Sequence, residues 1–117
     1  MRYALLIHQD DNAAIGAQER SRQDAGLAAF QAGMRAGSAL TACEQLQPAE
    51  TATTVQCWDG GDIVITNGPF AGAREQIAGF LVVDCADRDE AVRLATGIPA
   101  AWYGTVEVRP VREARTS

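Results

Sequence analysis

The sequence predicts an α+β fold, an antiparallel sheet with two helices on one face and an inserted β-hairpin. Three observations lead there. Apolar β-rich runs recur along the 117 residues, two segments switch to a helical period, and an Asp-Gly-Gly turn joins two of the runs.

Residues Arg2 to Gln9 form the first strand, with Tyr3, Leu5 and Ile7 on one face and Ala4, Leu6 and His8 on the other. Both faces are apolar, which places it centrally in the sheet. Asp10, Asp11 and Asn12 break the strand and open a polar loop to about Gln18. From about Glu19 to Ala36, Leu27, Phe30 and Met34 recur at spacings of three and four, one apolar stripe and so one buried face. Arg20, Arg22, Asp24, Gln31 and Arg35 point elsewhere, and Gly37 suits a C-cap. Ala39 to Gln47 reads as a strand. Thr53 to Trp58 is another, joined through Asp59-Gly60-Gly61 to a strand over Asp62 to Thr66, because Asp-Gly between β-rich runs signals a hairpin.

Asn67-Gly68 would suit a tight turn, but Pro69 has no N–H to close one and pushes the residue before it out of the helical region. The expectation is therefore a loop from Asn67 to Ala78 with a short helical piece around Ala71 to Gln76. Phe80 to Cys85 is almost continuously apolar and reads as a strand covered on both faces. Asp87 and Glu90 form a capping box ahead of a helix whose apolar face is Ala91, Leu94, Ala95 and Ile98, ended by Pro99. A final strand, Gly104 to Arg109, alternates Val106 and Val108 against Glu107 and Arg109. The order is β-α-β, hairpin, β-α-β, which without the hairpin is the ferredoxin-like pattern.

The length fits one domain. A net charge of −5 argues against nucleic acid as a partner, and no apolar run approaches membrane-spanning length. The N-terminal run is too short and too β-like for a signal peptide, so the expected location is cytoplasmic. All ten basic residues are arginine, which excludes a lysine Schiff base and a Walker-type phosphate loop. Cys43, Cys57 and Cys85 lie far apart inside expected strands and read as small buried hydrophobes. With a single histidine there is no zinc-ligand spacing, and no metal or cofactor is expected. Trp58, Trp102 and Tyr103 read as packing or subunit-contact residues.

Thr66-Asn67-Gly68-Pro69-Phe70-Ala71, followed by Arg74-Glu75-Gln76 and Gly79-Phe80, resembles the signature of the YCII-related family, DGPF-type branch. The likeness runs nearly end to end, through Met1 to Ile7, Leu46-Gln47-Pro48, Ala52 to Val55, Ile98 to Ala101 and Val106 to Pro110. It implies a dimeric α+β barrel in which two sheets face each other around a cavity, hence a homodimer. The elements agree, since a sheet with helices on one face leaves an apolar face for a second copy to cover. Where the family turn begins with Asp, this chain has Asn67, which keeps the turn preference but cannot act as a general base. Gly72 likewise stands where a family Glu is common, and Arg74 keeps the charge of a family Lys.

His8 is the one histidine available for acid/base work, and on a strand it shares a face with Asp10, whose carboxylate could hold the imidazole. The pair is similar to the His–Asp pair proposed as an active site in other branches of that family. The bland reading of His8 is a polar strand end. Glu75 is the other candidate acid or base, while Asn67, Gly68, Pro69 and Arg74 are candidates for a pocket rim. Arg109, with Arg112 and Arg115, either binds an anionic ligand or lies in a solvated tail. Two functions follow: an enzyme holding a small polar or carbonyl-bearing molecule with His8 as general acid/base, or a non-catalytic ligand-binding or interaction module. Related domains fused to sigma factors allow a regulatory version of the second.

Overall fold

The computed structural model describes residues 1–10, 17–37, 39–72, 74–98 and 104–113. A four-stranded antiparallel sheet is built from β1 (Arg2–Gln9), β2 (Leu40–Gln45), β5 (Gln76–Asp84) and β6 (Thr105–Pro110), in the order β2-β5-β1-β6. Helices α1 (Ala17–Ala36) and α2 (Arg88–Thr96) complete the two β-α-β halves. Between the halves, β3 (Thr53–Cys57) and β4 (Ile63–Asn67) pair, among the described residues, with each other alone as a separate two-stranded sheet. With that hairpin set aside, the fold is α+β and ferredoxin-like.

Alternation on the strands decides which face is covered. Tyr3, Leu5 and Ile7 of β1 and Leu81 and Val83 of β5 are buried together with Met34 of α1 and Ala91, Ala95 and Ile98 of and after α2. Both helices therefore pack on the same side. Leu27 and Phe30 of the α1 stripe, Leu94, Val106 and Val108 fill in around this cluster. The opposite face carries Ala4, Leu6, Phe80 and Val82, which are only half-buried. The expectation that β5 is covered on both faces is thus met on one face of the single chain; flanking side chains alone shield the other.

The α2 cap follows its sequence signal. The Asp87 carboxylate accepts the Glu90 N–H at 2.9 Å, while the Glu90 carboxylate takes the N–H of Ala86 at 3.0 Å, one residue ahead of the usual box. Past α1, the N–H of Gly37 donates to the Gly33 carbonyl at 3.1 Å. In the hairpin, Val55 pairs with Ile65 and Cys57 with Ile63, and the turn between them passes through Gly60 and Gly61, both at positive φ.

Several expectations need correction. β2 is shorter than expected, ending at Gln45, and α1 begins at Ala17. No helical piece forms among the described residues of 71–76; the segment bends, and β5 starts at Gln76, ahead of the expected Phe80. The Ala71 carbonyl, which a helix would bond to a backbone N–H, is taken instead by the Gln76 side chain at 2.7 Å. Of the three cysteines, Cys85 is buried, its thiol pushed up chiefly by burial and next by Glu90; Cys43 is partly buried; Cys57 is exposed on the hairpin. Gln31, expected on the polar side of α1, is half-buried and donates to Cys43 Sγ at 2.8 Å. Asp11, Asn12, Ala73, Pro99, Trp102, Tyr103 and Arg115 lie outside the described residues.

Candidate functional site

Where the hairpin leaves and rejoins the sheet, the chain encloses a half-open pocket of about 640 Å³. One wall is the connection from Leu46 to Ala52, the other is Pro69 to Ala71, and His8, Glu75, Gln76 and Ile77 at the end of the sheet form the floor. Backbone and side-chain bonds hold each wall. Pro48 accepts from the N–H and hydroxyl of Thr51 in the single 3-10 turn Ala49–Thr51. Across the neck, the Gly68 N–H donates to the Ala52 carbonyl at 2.7 Å, and the Thr54 hydroxyl returns a bond to the Gly68 carbonyl at 2.7 Å. Gly68 sits at φ 108, a conformation costly for any side-chain-bearing residue.

β1 delivers His8 to this floor near its C-terminal end, where the pairing with β5 slips between Ile7 and His8. Its Nε2 lies 3.3 Å from Oε1 of Glu107 on the neighbouring β6. Pairing explains the contact: His8 faces Thr105 and Leu6 faces Glu107, so Glu107 stands one position along on the same face. The Arg109 Nε is 3.7 Å from the other Glu107 oxygen, which makes a surface row of cation, carboxylate and imidazole. The Thr105 hydroxyl, beside His8, donates to Glu75 Oε2 at 2.9 Å.

The candidate residues therefore separate. His8, Glu75 and Pro69 line the pocket, and Gly68 shapes its neck. Asp10 accepts the Arg74 Nε at 3.0 Å; neither lines the pocket, and the Arg74 side chain is 90% exposed. Asn67, paired to Thr53 at the end of β4, is exposed and outside the lining. The carboxylate seen on the His8 ring is that of Glu107, which arrives from the adjacent strand, while Asp10 accepts from Arg74. Sequence reading missed Glu107. The alternation of β6 sets it on the face away from Val106 and Val108, and the β1–β6 register shows that this is also the face of His8. Among the described residues no cluster of His, Cys, Asp and Glu is arranged to hold a metal ion, and no helix is long and apolar enough to cross a membrane.

A ferredoxin-like α+β domain with one histidine set in a pocket beside its hairpin is the class of protein these features define. The YCII-related domain model matches residues 1–115, and the chain belongs to that family. It is also similar to an uncharacterised protein of Rhizobium meliloti (strain 1021), 33% identical over 115 residues that cover 95% of this chain and 92% of that one.

Proposed function

We propose that this protein binds a small molecule in the pocket and acts on it by proton transfer through His8. The observation that carries the reading is the position of His8: the chain's one imidazole lies in the floor of a 640 Å³ pocket with a carboxylate on its Nε2. Glu107 accepting the Nε2 proton would fix the tautomer and leave Nδ1 as the base, the orienting role carboxylates play for catalytic imidazoles. Glu75, held by Thr105, is a second group able to move a proton. Leu46, Pro48, Ala49, Ala52, Phe70 and Ile77 make most of the remaining lining apolar, and neither Arg74 nor Arg109 lines it. The ligand class this supports is small and largely uncharged, with a carbonyl or hydroxyl for His8.

The Thr66 to Ala71 turn supports membership of the DGPF-type branch, and the exposed position of Asn67 outside the lining supports a turn-shaping role for that residue. The half-covered sheet face supports a homodimer with facing sheets. Three free cysteines are in keeping with a cytoplasmic protein.

A pool of small metabolites, followed by NMR with native protein, His8→Gln and Glu107→Gln, tests the reading. One metabolite should be consumed. His8→Gln should slow its consumption by about a hundredfold or more while leaving its thermal-shift signal, and Glu107→Gln should slow it less, since the amide oxygen still accepts. A metabolite bound but never consumed by native protein would transfer the pocket to the non-catalytic ligand-binding reading. If no metabolite raises the melting temperature, both readings of the pocket fail.

A further inference from the structure

We propose that Arg109 is a positioning residue for His8. It acts through Glu107, holding that carboxylate so that one oxygen stays on the imidazole Nε2. The catalytic consequence rests on the role proposed for His8; the geometry is that of the ligand-free chain.

The sequence leaves Arg109 between two roles, contact to an anionic ligand and solvated tail, and its place on β6 suits neither. It does not line the pocket. Alternation puts Thr105, Glu107 and Arg109 on one face of β6, and the register sets them across from His8, Leu6 and Ala4 of β1. Leu6 and Ala4 carry no polar side-chain atom, so Glu107 finds its partners to either side of its own pairing. Its Oε1 lies 3.3 Å from Nε2 of His8, diagonally on β1, and its Oε2 lies 3.7 Å from Nε of Arg109, two residues on. Side-chain exposure falls along this row from 67% at Arg109 through 45% at Glu107 to 24% at His8, which puts the cation outermost and the imidazole innermost. Two other carboxylates at this end of the sheet have donors of their own. Asp10 accepts from Arg74 at 3.0 Å and Glu75 from Thr105 at 2.9 Å.

The two contacts of Glu107 support each other. A glutamate that is nearly half exposed keeps much of its rotamer freedom, and a hydrogen bond weakens steeply once its angle is lost. With the guanidinium on Oε2, a rotamer that carries Oε1 away from the ring must also break an ion pair. An exposed pair of this kind adds little to folding stability. Its effect is on orientation, and orientation matters to His8 because small displacements of a catalytic base lower its rate.

Nitrogen–proton correlation spectra of the ligand-free protein, with the single histidine labelled, give the solvent-exchange rate of the ring Nε2 proton. The proteins to compare are native, Arg109→Gln, Arg109→Lys and Arg93→Gln; the last removes an equal charge from α2, on the opposite side of the sheet. The expected result is slow exchange in native protein and Arg93→Gln, exchange about tenfold faster in Arg109→Gln, and most of the protection restored in Arg109→Lys, with little change in melting temperature. For the metabolite that native protein consumes, Arg109→Gln should lower kcat about tenfold and leave KM unchanged. Exchange unaltered in Arg109→Gln overturns the proposal, as does an equal change in Arg93→Gln, which would be an effect of net charge. A native Nε2 proton that exchanges as fast as that of free imidazole overturns it too, since Glu107 would then not be held on the ring. Faster exchange accompanied by a collapsed melting temperature makes Arg109 a structural residue instead, and a raised KM with kcat intact makes it a ligand contact. If no metabolite is consumed, the catalytic reading of the pocket fails, while the exchange rates still decide whether Arg109 holds Glu107.

Discussion

Glu107 reaches His8 because two strands with fixed register bring alternate residues onto one face, and Gly104 keeps that end of the pair close. A Cβ built at Gly104 meets the His8 carbonyl oxygen well inside van der Waals contact, with Gln9 next. The backbone oxygen cannot swing aside as a flexible side chain would. Gly104→Ala should therefore force β1 and the C-terminal strand apart at His8 and cost about 1–3 kcal/mol, read from urea denaturation, with a displaced histidine resonance. A substitution that leaves both unchanged would show that this end of the sheet gives way freely. Cys57 shows at the same scale how residue type misleads: cysteine is commonly buried, but here its strand belongs to a hairpin with no layer of its own chain above it.

The elements most legible from sequence are those whose signals are local. α2 begins where Asp87 and Glu90 specify, and Asp87→Ala should lower stability by about 1 kcal/mol in urea denaturation by orphaning the Glu90 N–H. β1 was readable to its last residue because its apolar run and its acidic stop lie side by side in the sequence. β5 was not, since Gln76, Ala78 and Gly79 have weak strand preference and join the sheet through their neighbours: Gln76 pairs with Gln9, Gly79 with Ile7 and Gln45, and the Ala78 carbonyl accepts the Leu46 N–H. The expected helical piece failed for a related reason: good helix formers there lose to the Gln76 side chain at the Ala71 carbonyl and to the strand register beyond it. The candidate site was legible in the same measure. His8, Glu75 and Pro69 stood out as residue types and motif positions, whereas Glu107 depends on which strands become neighbours.

The whole molecule is flat, 50 × 47 × 19 Å, with a radius of gyration of 16.3 Å, against about 13.4 Å for a compact chain of this length. In the proposed homodimer, association and folding would be thermodynamically linked. The melting temperature should rise with protein concentration, by mass action on a folded dimer, and scanning calorimetry at several concentrations checks it; a constant value would mean that the single chain carries its own stability. Chain topology has another consequence, in time. β1 is made well before β5 and β6, its partners among the described residues, so it has neither to pair with until those later strands have been made. Glu107 follows later still, in β6. The carboxylate–imidazole contact must therefore wait for that strand, and a chain cut short before it would lack the contact however well β1 had been made.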